Sequence, residues 1–365
     1  MVCWLLALPL IGAATIGLLA QWIDPRSVWW PQLFAVVLPF LGFGLAATAI
    51  FAVLLRVYRL GAVLLVLALI VGVRAEPWAR FGGASGEGDA LRLITFNVPE
   101  RLAPEAMRDS MAAFVERETP DIIAVQDAWV RGPRRRRPAW QAPQIRGVVD
   151  NLEYDLVVPS LLPGVGGWKR DATGVPLLVR QGGPRVLEQE AIVISDPRDN
   201  KASQAIRSTV EWEGRSFVLY DLHLRSFGDA KPWLDSDFVL TRPSTWGASL
   251  SRLATVYRQR AVDTDRIVAA IEAETLPVVI AGDFNSTADN WSYRQLRRAG
   301  GVARADAFRE AGQSLWGRTF HSETLLVRID HVLVDPALTV ERAEVRNVGF
   351  SDHRPVLVRL LWRSE

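Results

Sequence analysis

A chain of 365 residues that is 49% hydrophobic has room for one large domain plus an appendage, and it carries more apolar weight than a wholly soluble protein needs. A formal net charge of +2 excludes a strongly polyanionic or polycationic chain, and Cys3, the single cysteine, excludes an intramolecular disulfide. Of the 42 basic residues 39 are arginine, which reads as the mark of a GC-rich genome rather than of a binding surface.

The apolar surplus sits at the N-terminal end. VCWLLALPLIGAATIGLLA (2–20) is uncharged over 19 positions, and LFAVVLPFLGFGLAATAIFAVLL (33–55) over 23. At about 1.5 Å per helical residue, each is long enough to cross a hydrocarbon core about 30 Å thick. LGAVLLVLALIVGV (60–73) is shorter, and spans if Arg59 and Arg74 snorkel to the two interfaces. Residues 1–74 are therefore expected to form a membrane anchor with three transmembrane helices, at about 2–20, 33–55 and 57–73. The first run lacks a basic leader and a small-residue cleavage site, so it reads as an anchor rather than a cleaved signal. Arg56 and Arg59 put the turn between the second and third spans in the cytoplasm. A multi-pass cell-membrane protein with its main domain extracytoplasmic follows. Arg26, Arg74 and Arg80 count against that orientation, and it reverses if the third run does not span.

Residues 75–90, rich in Gly and Ala, read as a flexible linker. Beyond them short β-type runs alternate with amphipathic segments. The expected strands are 91–98, 121–128, 175–180, 191–195, 217–224, 277–285, 329–335 and 355–362, with helices over 103–118 and 249–274. Mixed elements of this kind over 91–365 predict one α/β domain. The apolar face of 249–274 is explained by core packing, so no protein partner is inferred.

Polar residues gather at the strand ends: Asn97, Gln126 with Asp127, Asp221 with His223, and Asp283 with Asn285. Asp330 and His331 open another strand, and Asp352 and His353 precede the last. Three of the four histidines fall in these stretches. Strand ends along one sheet edge are where an α/β protein assembles a site. The inventory offers hard oxygen ligands, amides that orient a phosphate or a water, and imidazoles that move protons near neutral pH. It lacks the thiols of a zinc centre and the elbow of a serine nucleophile. A Mg²⁺ site held through carboxylates fits better.

TFNV (95–98), VQD (125–127), DLHL (221–224), GDFN (282–285), RIDHV (328–332) and SDHRPV (351–356) resemble, in order, the successive motifs of the endonuclease/exonuclease/phosphatase superfamily. The resemblance implies a four-layer α-β-β-α sandwich, two mixed β-sheets flanked by helices, and a metal-dependent hydrolase acting on phosphoester bonds. It makes Asp127, Asn97 and Asp352 the ligands of Mg²⁺, with Mn²⁺ as an alternative. It makes Asp283 and Asn285 the residues that orient or deprotonate water. His223 and His353 would flank the scissile phosphate, with Asp330 holding His353, and Asp221, His331 and Gln126 would support the site. The family usually has Glu where this chain has Asp127, a carboxylate withdrawn by one methylene.

Three spans ahead of such a domain are similar to membrane-tethered members associated with bacterial glycopeptide resistance. That likeness implies a lipid-linked envelope substrate such as a polyprenyl pyrophosphate. Two loops bear on this. Residues 225–249, with Phe227, Trp233, Phe238 and Trp246, offer an apolar lip or simply a self-packed loop. RGPRRRRP (131–138) offers a patch for phosphate or a solvated loop. The alternatives are a membrane-tethered nuclease acting on DNA or RNA, and a catalytically weak binding module.

Overall fold

Apolar β-branched runs bounded by turn residues become strands wherever both faces find cover, and the chain builds two six-stranded sheets this way. In the computed structural model, residues 2–75, 86–131, 140–158, 172–192, 194–195, 203–231, 239, 241–314, 317–324 and 327–364 are described. Contacts divide the chain into two compact units. One comprises Met1–Trp78, Phe227–Val262 and Ser286–Gln295; the other comprises Ala79–Ser226, Asp263–Asn285 and Leu296–Glu365.

In the larger unit one sheet runs in the order Leu338–Val345, Val356–Trp362, Glu87–Asn97, Ile122–Gln126, Leu177–Arg180, Tyr154–Val157. The other runs Ala305–Asp306, Asp330–Val334, Val278–Asp283, Arg215–His223, Gln204–Trp212, Arg185–Ile192. Each mixes parallel and antiparallel pairs. Alternate residues of both sheets, among them Leu91, Leu93, Ala124, Phe217, Leu219, Val279, Ala281 and Val358, meet in one buried core. The opposite face of the first sheet carries Ile94, Phe96, Ile123 and Val125, covered by Met107, Met111 and Phe114 of helix Pro104–Glu118 and by Ile145 and Val148 of helix Pro143–Val149. Behind the second sheet, Tyr220 donates its hydroxyl to Glu274 (2.7 Å), just past helix Trp246–Glu272, and Glu274 also takes a two-nitrogen grip from Arg207 (2.6 and 3.0 Å). The expected fold class of mixed sheets flanked by helices is the one observed.

In the smaller unit the N-terminal apolar runs form helices Val2–Leu19, Pro31–Val36, Leu38–Leu54 and Tyr58–Ala75. The second expected span is thus broken at Val37, where Pro39 restarts the helix at its first turn. Among the described residues, one helix, Cys3–Trp22, is long and apolar enough to cross a membrane, while Leu38–Leu54 is apolar but shorter. Small residues line the seam: Ala7, Ala14, Ala49 and Ala52 pack with Leu38, Leu45, Leu60, Leu64 and Val71, letting the backbones approach closely.

Three further differences from the sequence reading stand out. The strand Glu87–Asn97 begins inside the stretch expected to be linker, and residues 76–85 lie outside the described ones. The strands Gln204–Trp212, Leu338–Val345 and Tyr154–Val157 were not anticipated, nor was most of Arg185–Ile192. Contacts also group 227–262 and 286–295 with the N-terminal helices rather than with the remainder of 91–365. Residues 132–138 of the basic run, and Trp233 and Phe238 of the expected lip, lie outside the described residues. The lip's other aromatics pack locally: Trp246 donates its indole N–H to the carbonyl of Val239 (3.0 Å), and Phe227 meets Tyr257 edge-on.

Candidate active site

Strand register assembles the site before any side chain is considered. Strands Arg215–His223 and Val278–Asp283 are parallel with His223 opposite Asp283, and Asp330–Val334 lies antiparallel with Asp330 opposite Asp283. Three ionisable residues from distant stretches therefore stand in one row. In the other sheet Asn97 and Gln126 are paired in the same manner. Gly282 permits the row: its φ is +139°, and a Cβ there would lie 2.0 Å from the carbonyl oxygen of Leu222, a collision that only glycine avoids.

Asp283, 1% exposed, is the hub. Its Oδ2 accepts from Asn97 Nδ2 (2.9 Å) and Asn285 Nδ2 (3.1 Å), and its Oδ1 accepts from the Asn285 backbone N–H (2.8 Å). The imidazoles of His223 and His353 stand 3.7 and 3.8 Å from the same carboxylate. Asn285 sits at φ +45°, a left-handed conformation that asparagine tolerates better than most residues, and its amide also donates to the Leu224 carbonyl (2.8 Å). The paired Asp283 and Asn285 thus form a turn and a site at once.

His353 Nδ1 lies 2.9 Å from Asp330 Oδ2, the expected dyad. Burial works against the His353 charge, but Asp330 and then Asp283 outweigh it and hold the imidazolium up to about 9. Burial also raises the Asp283 carboxyl, helped by Asp330 and opposed by His353 and His223. Two residues missed in the sequence hold this pair. Ser351 donates its hydroxyl to the Asn97 carbonyl (2.8 Å) and accepts the His353 backbone N–H (3.0 Å). Thr319 Oγ1 accepts the N–H groups of Ile329 and Asp330 (both 3.2 Å). Ser351 lies inside the SDHRPV motif, where its hydroxyl is a visible signal; Thr319 lies in no motif.

The other expected residues fall into two groups. Asp127 stands at the rim, with Oδ1 3.5 Å from His223 Nδ1 and its side chain 36% exposed. Its φ is +57°, a conformation several-fold enriched in aspartate, which gives a local reason for the shorter acid at this position. Asp352 meets Arg101 at 3.5 Å. Gln126 and Asp221 lie deeper and bond one another between the sheets, Gln126 Nε2 donating to Asp221 Oδ1 (2.7 Å) and to Thr95 (3.1 Å). Burial raises the Asp221 carboxyl well above the usual range despite that bond. His331 points away from the row, as strand alternation requires of a neighbour of Asp330. It is fully buried, 5.1 Å from the Phe284 ring centroid and 4.0 Å from Asp306.

A family model for the Endonuclease/Exonuclease/phosphatase family matches residues 94–353. The chain belongs to that family. Solved structures share its fold: a family protein from Bacteroides thetaiotaomicron (17% identity, TM-score 0.54, covering 77% of this chain and 100% of that one), one from Bacteroides vulgatus (19%, 0.50, 76% and 100%) and one from Leptotrichia buccalis C-1013-b (15%, 0.51, 75% and 100%). A search of curated proteins finds no match. Family membership makes the chain a metal-dependent hydrolase of phosphoester bonds.

The residues present suit a divalent cation. Asp283, Asp330 and His353 bring ligand-type atoms within 4.8 Å of one another, but the His353–Asp330 bond and the three donors on Asp283 already engage them. Asn97 Oδ1 and Asp352 Oδ1 are buried oxygens without a hydrogen-bond partner, and an acceptor left so is costly unless a cation or donor completes it. The donor set is chiefly oxygen, as a hard ion requires.

Proposed function

We propose that the protein is a membrane-anchored phosphoesterase that cleaves a phosphoester or pyrophosphate bond of a lipid-linked substrate, using Asp283, Asn285, His223 and the Asp330–His353 dyad. The convergence of Asn97, Asn285, His223 and His353 on the buried Asp283 carboxylate carries the phosphoesterase reading. Asp283 and Asn285 orient a water for in-line attack on phosphorus, and Asp283 takes its proton; a carboxyl raised by burial is a better base near neutrality. His353, kept protonated by Asp330, faces the charge that gathers on the phosphoryl oxygens. His223 stands on the other side of Asp283 and protonates the departing oxygen. Asn97, Asp127 and Asp352 would hold the Mg²⁺ (or Mn²⁺), and a bound cation supplies Lewis-acid neutralisation of phosphate charge.

The anchor is supported by its surface. Leu5, Leu6, Leu8, Ile50, Phe51, Leu54, Leu65, Val66, Leu69 and Val73 are exposed, an apolar exterior that suits lipid and not water. Arg74 lies 5.2 Å over the Trp22 ring, so the ends of the first and last of these helices meet. With the first helix, Leu38–Leu54 and Tyr58–Ala75 would supply the three crossings. Arg56 and Arg59 at the turn between Leu38–Leu54 and Tyr58–Ala75 support, by the positive-inside rule, an extracytoplasmic catalytic domain.

The test is phosphate release from a long-chain polyprenyl pyrophosphate by full-length protein in detergent with Mg²⁺, beside Asp283→Asn. Release lost in the variant is the expected result. Cleavage of plasmid DNA with no release from the lipid would instead identify a tethered nuclease. Inertness toward both would leave a binding module.

A further inference from the structure

We propose that the N-terminal helices are a positioning element of the enzyme and not only its tether, acting through a buried amide lock on the segment that follows the catalytic loop. This rests on the reading that Asp283 and Asn285 carry the chemistry, but not on the identity of the substrate.

The lock centres on Gln32 and Asn290, 1% and 2% exposed. Gln32 Nε2 donates to the carbonyls of Ala20 (2.8 Å) and Ile23 (3.0 Å), tying together the bend between the first two helices. Its Oε1 accepts from Asn290 Nδ2 (3.1 Å) and from the Trp291 backbone N–H (3.0 Å), and its own carbonyl takes a second bond from Asn290 (3.1 Å). Asn290 Oδ1 in turn accepts from the backbone N–H and the hydroxyl of Thr287 (2.8 and 2.9 Å), and that hydroxyl lies 3.4 Å from the Ala35 carbonyl. Every hydrogen-bonding site of the Gln32 amide is thereby filled. Burying a primary amide among apolar helices is costly unless such completeness is reached, and a tether has no use for it.

The surrounding contacts repeat the theme. Arg74 meets Asp289 at 3.5 Å, and the guanidinium groups of Arg74 and Arg294 both face the Trp22 ring (5.2 and 5.8 Å). Arg26 covers Trp291 (5.5 Å), and Trp29 stacks on Tyr257 (6.3 Å). Arg260, 1% exposed, lies over Tyr257 (5.4 Å) with Nη1 3.4 Å from Ser286 Oγ. Ser286 follows Asn285 directly in the chain. Asn285 itself sits at left-handed φ, a conformation that its surroundings help to fix. The lock fixes the chain on the downstream side of that residue. A small misplacement of a reacting group lowers turnover more than binding, so loosening the lock should appear in kcat.

The test uses full-length protein in mild detergent, with a protease site inserted between Gly82 and Gly83 and a soluble aryl phosphodiester as probe. After complete cleavage the two fragments should co-elute and keep activity within about twofold of the uncut protein. Separation of the fragments with activity intact would overturn the proposal. In the uncut protein, Gln32→Ala and Asn290→Ala should each lower kcat about tenfold with KM nearly unchanged, and the double variant should lose no more than either single one. Unchanged kcat in both single variants would likewise overturn it. If the wild-type protein is inert toward the probe, the hydrolase reading is what fails, and co-elution alone decides whether the lock exists.

Discussion

Asp221 and Asp283 are both buried carboxyls on neighbouring strands of the same sheet, and burial raises both. Their company separates them. Asp283 receives three N–H donors and faces two imidazoles and a second carboxylate, whereas Asp221 receives one amide hydrogen bond and keeps an oxygen with no partner. A carboxyl surrounded by groups of opposing demand is poised to exchange protons. One that is fully buried with a single donor is pushed toward its neutral form and serves as a polar rivet between sheets. Burial alone therefore does not mark a catalytic acid, and the variety of its partners does.

Asp283→Asn tests one side of that contrast most severely: kcat should fall about a thousandfold, while thermal stability holds or rises because a disfavoured buried charge is gone. A large loss of stability would instead make Asp283 a structural hub. His353→Gln should lower kcat about a hundredfold and Asp330→Asn about tenfold, and if the dyad works as a unit the double variant should be little worse than His353→Gln. The dyad also has a pH signature. Because the folded His353 pKa of about 9 stands above its ordinary 6.5, its stabilising contribution is complete below about 6.5 and is lost as pH rises through 9. In chelator, the stability gap between wild type and His353→Gln should close over that window, as read from denaturant midpoints. Asp221→Asn should have the smallest effect on activity, within about threefold, and should raise stability by about 1–2 kcal/mol near neutrality. The sign follows from linkage: a carboxyl raised in the folded state takes up a proton on folding, so wild-type stability falls as pH climbs above the unfolded value near 3.8. The advantage of the amide should therefore grow from pH 4 upward.

Much of the site was legible because its residues sit at the borders of apolar runs, and such runs announce buried strands. Asn97, His223, Asp283, Asp330 and His353 were named from that pattern and do converge. Alternation within a strand was the signal underused for His331, whose neighbour Asp330 takes the site face. Strands such as Gln204–Trp212 and Leu338–Val345 escaped notice because polar and charged residues interrupt them, QAIRSTVEW and LTVERAEV; their place in the sheets comes from partners remote in sequence. Thr319 and Gln32 were invisible for a related reason. Their hydrogen bonds reach backbone and side-chain groups that only the tertiary fold brings near, and neither residue belongs to a motif.

The strand Val356–Trp362 lies inside its sheet, between Leu338–Val345 and Glu87–Asn97. Glu87–Asn97 is made before its partner, so its outer hydrogen-bonding edge stays open until residue 362 has emerged. His353, just ahead of that late strand, cannot join the row any sooner. The nascent protein thus has no working centre until this strand is made, and a message cut short before it should yield a chain with an exposed sheet edge and no activity.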